Sequence, residues 1–230
     1  FWLKQVWLKL SSSSKLPWSL SIGMTPHGLL QLPPSLRLRI VACMCGRTRL
    51  IGLRGDLPWR LAPDLARFRE LIAGGAGLIG RRSFEESLHT HPEGLPCRPL
   101  VVLTRQPERL GGATAAAGAV AAASFEEAVA RVQDLAPRRA GAAPTPLWVL
   151  GGPAVYRAAL PLAEALLLTV ITDGFDAEAA GAGLPGAEPA YFPEGWERHF
   201  APVPGAEPPL PRWDSASGLT FEFRDFVARP

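Results

Sequence analysis

Short apolar runs alternate with amphipathic stretches from Leu36 to about residue 171, and this alternation narrows the possible folds more than any other feature of the chain. Leu36–Cys43 reads as a first strand. Residues 63–72 read as a helix: Pro63 suits a first-turn position, and Leu65, Phe68, Leu71 and Ile72 make an apolar stripe that Gly74 and Gly75 end. Gly77–Gly80 offers a short buried strand, Ser83–Leu88 a short helix and Pro99–Thr104 a strong strand. Ser124 opens another helix, with Glu127 placed for a capping box and Phe125, Ala128, Val129, Val132 and Leu135 on its apolar face. Leu147–Leu150 is a strand, Val155–Leu160 a helix and Ala165–Ile171 a strand, and Glu197–Ala201 and Leu219–Val227 are strand candidates near the C-terminus. Strand and helix in alternation predict an α/β fold: three layers, a mostly parallel central sheet with helices on both faces, and an antiparallel C-terminal edge hairpin. Residues 111–123, 136–146 and 176–190 read as surface loop inserts.

Charge tests whether such a fold serves a polyanion. The sequence pI is about 9.0 and the formal charge +3. All three lysines (Lys4, Lys9, Lys15) lie in the first fifteen residues, whereas residues 37–230 carry 21 arginines and 21 acidic residues and sum to zero. A neutral globular part has no bulk attraction for phosphate polymers, so nucleic acid is not expected as a primary partner. No uninterrupted apolar run is long enough to span a membrane. Cys43, Cys45 and Cys97 form no CxxC pair, and an odd number of thiols argues against a disulfide framework or zinc ribbon. His89 and His91, in a loop-like HTHPEG stretch, lack a third ligand, so no metal is expected. Residues 1–36 contain no acid, a serine run and Pro33-Pro34, and are set apart from a domain at 37–230. Three origins compete for them: a processed targeting segment, a translation artefact ahead of Met24, or a genuine N-terminal arm. Their serine content suits a transit peptide and their lack of arginine does not.

Four signals could carry chemistry. Gly75–Gly80 and Gly181–Gly186 both match G-x-G-x-x-G, but neither follows a strand and opens a helix, so both are read as helix stop and linker. Gly151-Gly152 does join a strand to a helix; two glycines there either bring backbone close to a diphosphate or make an ordinary turn. Asp64 sits four residues before Phe68, so a carboxylate shares the apolar face of its helix. It either complements the helix dipole or, in an apolar pocket, pairs with an amidine-like N–H pair on a heterocycle, its pKa raised by desolvation. Arg81, Arg82 and Arg105 follow strands, where phosphate groups collect in parallel sheets, whereas Arg98 precedes one.

In this order the motifs resemble the dihydrofolate reductase family. The resemblance rests on Ile51-Gly52 with Gly55-Asp-Leu-Pro-Trp59, Leu61-Ala-Pro-Asp-Leu-Ala-Arg-Phe68, Ile79-Gly-Arg-Arg-Ser-Phe84 and Leu95-Pro-Cys-Arg98 with Val101-Val-Leu-Thr-Arg105. Val149-Leu-Gly-Gly-Pro-Ala-Val-Tyr156, Leu168-Thr169 and Tyr191-Phe-Pro193 complete it. It runs from about Arg39 to Arg229.

That resemblance implies NADPH-dependent reduction of 7,8-dihydrofolate to tetrahydrofolate, with hydride delivered to pterin C6 and a proton to N5. It implies a catalytic set of Asp64, Trp59, Thr169 and Tyr156. Asp64 would hold the pterin 2-amino group and N3 and assist protonation of N5 through water. Thr169 would bond that carboxylate network, Trp59 would belong with Leu57 and Pro58 to the loop closing over the nicotinamide, and Tyr156 would lie near that ring. Ala42 would offer a backbone contact to the pterin, Leu57, Leu65, Phe68 and Leu95 would line the substrate pocket, and Arg98 would pair with the substrate's α-carboxylate. Ile51, Gly52, Gly80, Arg81, Arg82, Ser83, Thr104, Arg105, Gly151, Gly152, Pro153, Ala154 and Val155 would contact NADPH, the glycine pair through a tight cis turn. The chain departs from the family pattern in about two extra residues between Ala42 and Ile51, in Cys97 where glycine is frequent, in Pro153 after the glycine pair, and in a long loop before Tyr191. Rival readings are a pyrimidine reductase of riboflavin synthesis on the same fold and a non-catalytic nucleotide- or folate-binding relative. Expected partners are dihydrofolate and antifolate-type small molecules, the expected state is a monomer, and the expected location is cytoplasmic, or mitochondrial or plastid if the extension is a transit segment.

Overall fold

The structure is a computed structural model that describes residues 31–90, 93–110, 118–136 and 143–230. In chain order its elements are β1 (Leu36–Cys45), β2 (Leu50–Gly52), α1 (Ala62–Ile72), β3 (Ala76–Gly80), α2 (Arg81–Thr90), β4 (Leu100–Leu103), β5 (Ala119–Ala122), α3 (Phe125–Leu135), β6 (Thr145–Val149), α4 (Pro153–Ala159), β7 (Ala165–Asp173), β8 (Ala190–Tyr191), β9 (Phe200–Pro202), β10 (Arg212–Asp214) and β11 (Leu219–Ala228). Two 3-10 turns, Pro107–Leu110 and Trp196–Arg198, lie between them.

The main sheet runs β10-β11-β7-β1-β6-β3-β4-β5, with β9 also paired to β11. Every pair from β7 through β1 to β5 is parallel, whereas β11 is antiparallel to β7, β9 and β10. The residues explain this division. β3 and β4 read AGLIG and LVVL and are buried at nearly every position, as strands covered on both faces must be. One face collects Val41, Ile79, Leu100, Val102 and Trp148 with Ile72 of α1 and Phe84 of α2. The alternate residues, among them Leu78 and Val101, point to the other face and are also buried.

Helix ends follow their local chemistry. α1 starts with a proline in its first turn and no side-chain cap. At α3 the Ser124 hydroxyl accepts from the Glu127 N–H at 3.1 Å. The reciprocal half of the predicted capping box is displaced by one residue, because the Glu127 carboxylate accepts from the Ala123 N–H, at 2.7 Å.

Several sequence expectations need correction. The 111–123 insert contains β5, an alanine-rich strand whose β character comes from its partner β4 rather than from its own side chains. The 136–146 insert ends in the first residues of β6. Glu197–Ala201 is not one strand: Trp196–Arg198 is a 3-10 turn and only Phe200–Pro202 is extended. The closing hairpin is β10–β11, and β10 had no sequence signal. His89 belongs to the last turn of α2 rather than a loop, and His91 lies outside the described residues. Among the described residues no helix is long and apolar enough to cross a membrane, and no group of three or more His, Cys, Asp or Glu gathers as a metal site.

Candidate active site

Three central elements build the site. Cys43 on β1 and Thr169 on β7 are direct partners in the parallel register, so their side chains leave the sheet on the same face. The first turn of α1 brings Asp64 over that face, where the Thr169 hydroxyl and the Cys43 thiol act on its carboxyl. Thr169 is 2% exposed. Asp64 is half-buried as a residue.

Electrostatics sets its acidity. Burial pushes the Asp64 pKa above the usual carboxylate value, and the Thr169 hydroxyl, the Arg67 charge and the Cys43 thiol work in the opposite direction. Burial and the neighbouring Asp64 charge push the Cys43 thiol well up, so it is a protonated donor. Arg67 is three residues along α1; it donates to the Leu168 carbonyl at 3.1 Å, pairs with Asp225, and lies 4.4 Å from the Phe223 ring centre.

The loop Leu53–Trp59 closes one side. Trp59 is buried in a cluster with Cys43, Cys45 and Ile171 and meets Phe175 edge-on at 4.9 Å. Its indole Nε1 is buried and has no hydrogen-bond partner among the described residues. Leu57 is exposed on the same loop. Ile51 and Gly52 lie in or at the end of β2, which pairs with β8, and the Arg54 N–H binds the Ala187 carbonyl at 2.9 Å. The long segment before Tyr191 thus packs on this loop.

The other side is glycine-lined. The Gly151–Gly152 peptide is cis. Gly80 N–H donates to the Gly151 carbonyl at 2.7 Å, and a Cβ on Gly80 would lie 3.4 Å from Gly152 N and 3.2 Å from a Val155 methyl. Pro153, Ala154 and Val155 form the first turn of α4. Tyr156 lies beneath the glycine pair, donating to the Val41 carbonyl at 2.9 Å; burial first, then the Asp64 and Cys43 charges, hold its pKa well above the usual phenol value.

The remaining expected residues fall into three groups. Ser83, at the start of α2, faces Gly152. Arg81 is engaged with Glu85 at 2.7 Å, and Arg82 stands more loosely, 3.6 Å from Glu188. Thr104 is buried, its hydroxyl accepting from the Gln106 N–H at 3.0 Å, and Arg105 is exposed. Phe68 packs against the cluster that contains Leu95, Leu65 is 43% exposed, and the Arg98 guanidinium donates to the Leu95 and Cys97 carbonyls at 2.6 and 2.7 Å. Ala42 is buried on β1, but its side chain takes the opposite face, and the side chain that reaches Asp64 is that of Cys43. Cys43 and Arg67 were missed from the sequence. Arg67 had a usable signal, a cation three residues from the acid on one helix.

Residues 38–199 match the family model for dihydrofolate reductase. The chain belongs to the dihydrofolate reductase family. It is 35% identical over 152 residues to the dihydrofolate reductase of Mycobacterium tuberculosis, covering 66% of this chain and 83% of the relative. It is 28% identical over 194 residues to that of Neisseria gonorrhoeae, covering 84% and 99%. A solved dihydrofolate reductase from Enterococcus faecalis, complexed with NADP(H) and RAB-propyl, superposes with a TM-score of 0.63 at 22% identity, covering 84% of this chain and 97% of that one. This likeness shows that the sheet order and helix placement are those of a dihydrofolate reductase.

Proposed function

We propose that the Asp64 face is the catalytic centre for the family's reaction, the NADPH-dependent reduction of 7,8-dihydrofolate to 5,6,7,8-tetrahydrofolate. The observation that carries this reading is one desolvated carboxylate, influenced by Thr169 and Cys43 and set over the face that β1 and β7 share. An ionised carboxylate accepts two parallel N–H bonds, which matches the 2-amino and N3 hydrogens of a pterin. Burial raises its pKa above the usual carboxylate value, the direction useful for assisting proton delivery to N5 through water. Phe68, Leu65, Leu57 and Leu95 supply the apolar walls that hold the ring in register, and Trp59 excludes water from the loop side. We assign the carboxylate tail of the substrate to Arg98, whose guanidinium is braced by the Leu95 and Cys97 carbonyls. Ala42 contributes backbone only.

The glycine side fits a dinucleotide. A Cβ at Gly80 would crowd Gly152 and Val155, and Ser83, Arg82 and Arg105 stand at strand ends or a helix N-terminus, where phosphates bind. We assign NADPH to Ile51, Gly52, Gly80, Arg81, Arg82, Ser83, Thr104, Arg105 and Gly151–Val155, with Tyr156 beneath the nicotinamide. NADPH, when bound, supplies the hydride. We read the reductase domain as residues 37–230, with 1–36 as an extension outside it.

The test is loss of NADPH absorbance on adding dihydrofolate. Asp64→Asn should lower kcat/KM by about a hundredfold or more near neutral pH, the scale of positioned acid–base catalysis. Wild-type kcat/KM in that variant would refute the role given to Asp64.

A further inference from the structure

The reading of Asp64 leaves a second charged residue of α1 without a function. Arg67 stands on the helix that carries the carboxylate, and its side chain is only 15% exposed. Its guanidinium is held at several points. One terminal nitrogen donates to the Leu168 carbonyl at 3.1 Å, the other donates to the Asp225 carboxylate, and the central carbon lies 4.4 Å from the middle of the Phe223 ring. Strand register shows what these partners have in common. Phe223 is the direct partner of Thr169 across β11 and β7, Leu168 is the residue before Thr169, and Asp225 follows Phe223 by two places. Phe223, Asp225 and Thr169 therefore project from one face of the sheet, the face over which α1 brings Asp64.

We propose that Arg67 is a positioning residue: its guanidinium fork ties α1 to β7 and β11 around Thr169, and so fixes Asp64 over that face for the pterin. The proposal rests on the reading of Asp64 given above. Residues three apart on a helix are surface neighbours, with about 5–6 Å between their Cβ atoms, so a clamp at Arg67 acts close to the carboxylate. A planar guanidinium can hold a carbonyl, a carboxylate and a ring face together, whereas an ammonium is a single point of charge. The charge has a second effect. It favours the ionised form of Asp64 against the burial that opposes it, and Asp225 tempers that charge from β11. The other titratable groups that interact with Asp64 are Cys43 from β1 and Tyr156 from α4. A second guanidinium, that of Arg212 from β10, lies 4.9 Å from the Phe223 ring centre.

Two measurements test it. The first is the titration of the Asp64 carboxyl in the chain alone, followed as the carboxyl NMR signal that disappears in Asp64→Asn. Arg67→Met should move its midpoint up by about half a unit or more, because a neighbouring cation is lost. Asp225→Asn, which leaves the guanidinium less neutralised, should move it down. The second is steady-state kinetics. Arg67→Met should raise KM for dihydrofolate about tenfold or more and leave KM for NADPH unchanged, the mark of a misplaced carboxylate. Arg67→Lys keeps the charge without the fork, so its titration midpoint should stay near that of the wild type while KM for dihydrofolate is still raised. A midpoint unmoved in Arg67→Met, shifts of the same sign in Arg67→Met and Asp225→Asn, or a wild-type KM in Arg67→Lys would each overturn the proposal. The Asp225 carboxylate is half exposed, so Asp225→Asn keeps the titration decisive even where Arg67→Met fails to fold. A wild-type chain whose carboxyl titrates as expected but which shows no dihydrofolate-dependent NADPH oxidation would instead overturn the reading of Asp64.

Discussion

Replacing Glu86 by Gln exchanges a carboxyl for an amide of nearly the same shape, at a place where the charge is costly. Glu86 lies half-buried on α2 against the Leu53–Trp59 loop: a Cβ on Gly55 would sit 2.9 Å from its Oε1. Burial, then Asp56 and Glu85, push its pKa from 4.5 up to about 7, with Arg82 opposing. Between those values the native chain holds a proton that the unfolded chain has released. Stability therefore falls as pH rises through that window, and above it the full cost of an ionised Glu86 is present. For a fully buried group the span from 4.5 to about 7 corresponds to roughly 3.4 kcal/mol. Water reaches much of this side chain, and screening reduces the effect to about 1 kcal/mol. Urea unfolding of both proteins at about pH 4.5 and about pH 8.5 reads the difference directly. Glu86→Gln should gain about 1 kcal/mol over wild type at the higher pH and nothing at the lower. An advantage equal at both values, or none at the higher one, would refute the assignment of strain to this carboxyl.

Two further substitutions probe the frame around the site. Tyr156→Phe removes a buried bond to the Val41 carbonyl and should cost about 1–2 kcal/mol in chemical denaturation; an unchanged midpoint would mean that this hydroxyl does not anchor α4 to β1. Ser124→Ala removes the cap of α3 and should lower stability by about 1 kcal/mol without altering KM for either substrate, since α3 contributes no site residue.

The parts of the site that were legible in the sequence are those set by local geometry. Asp64 and Phe68 share a helix face because helical spacing puts them there, and Gly151-Gly152 announces a close approach because any side chain would obstruct it. Thr169 had no local signal; it came from the family pattern. Cys43 had neither, because a cysteine within an apolar strand reads as a small core residue. Its place opposite Thr169 exists only through the register of β1 with β7, which is a property of the whole sheet. The same reason hid β5 and β10, whose short or polar runs become strands only when a neighbour is present.

The position of β1 between β6 and β7 has a consequence for synthesis. The first strand of the domain has both of its hydrogen-bonding neighbours far downstream, at Thr145–Val149 and Ala165–Asp173. A nascent chain therefore carries β1, the active-site loop and Asp64 well clear of the ribosome before anything can pair with them. Such non-local pairing is slow and leaves strand edges exposed meanwhile. A chain released early, after β6 but before β7, would keep Asp64 and lose Thr169 along with one edge of β1. The face that carries Asp64 and Thr169 is completed only once β7 has been made.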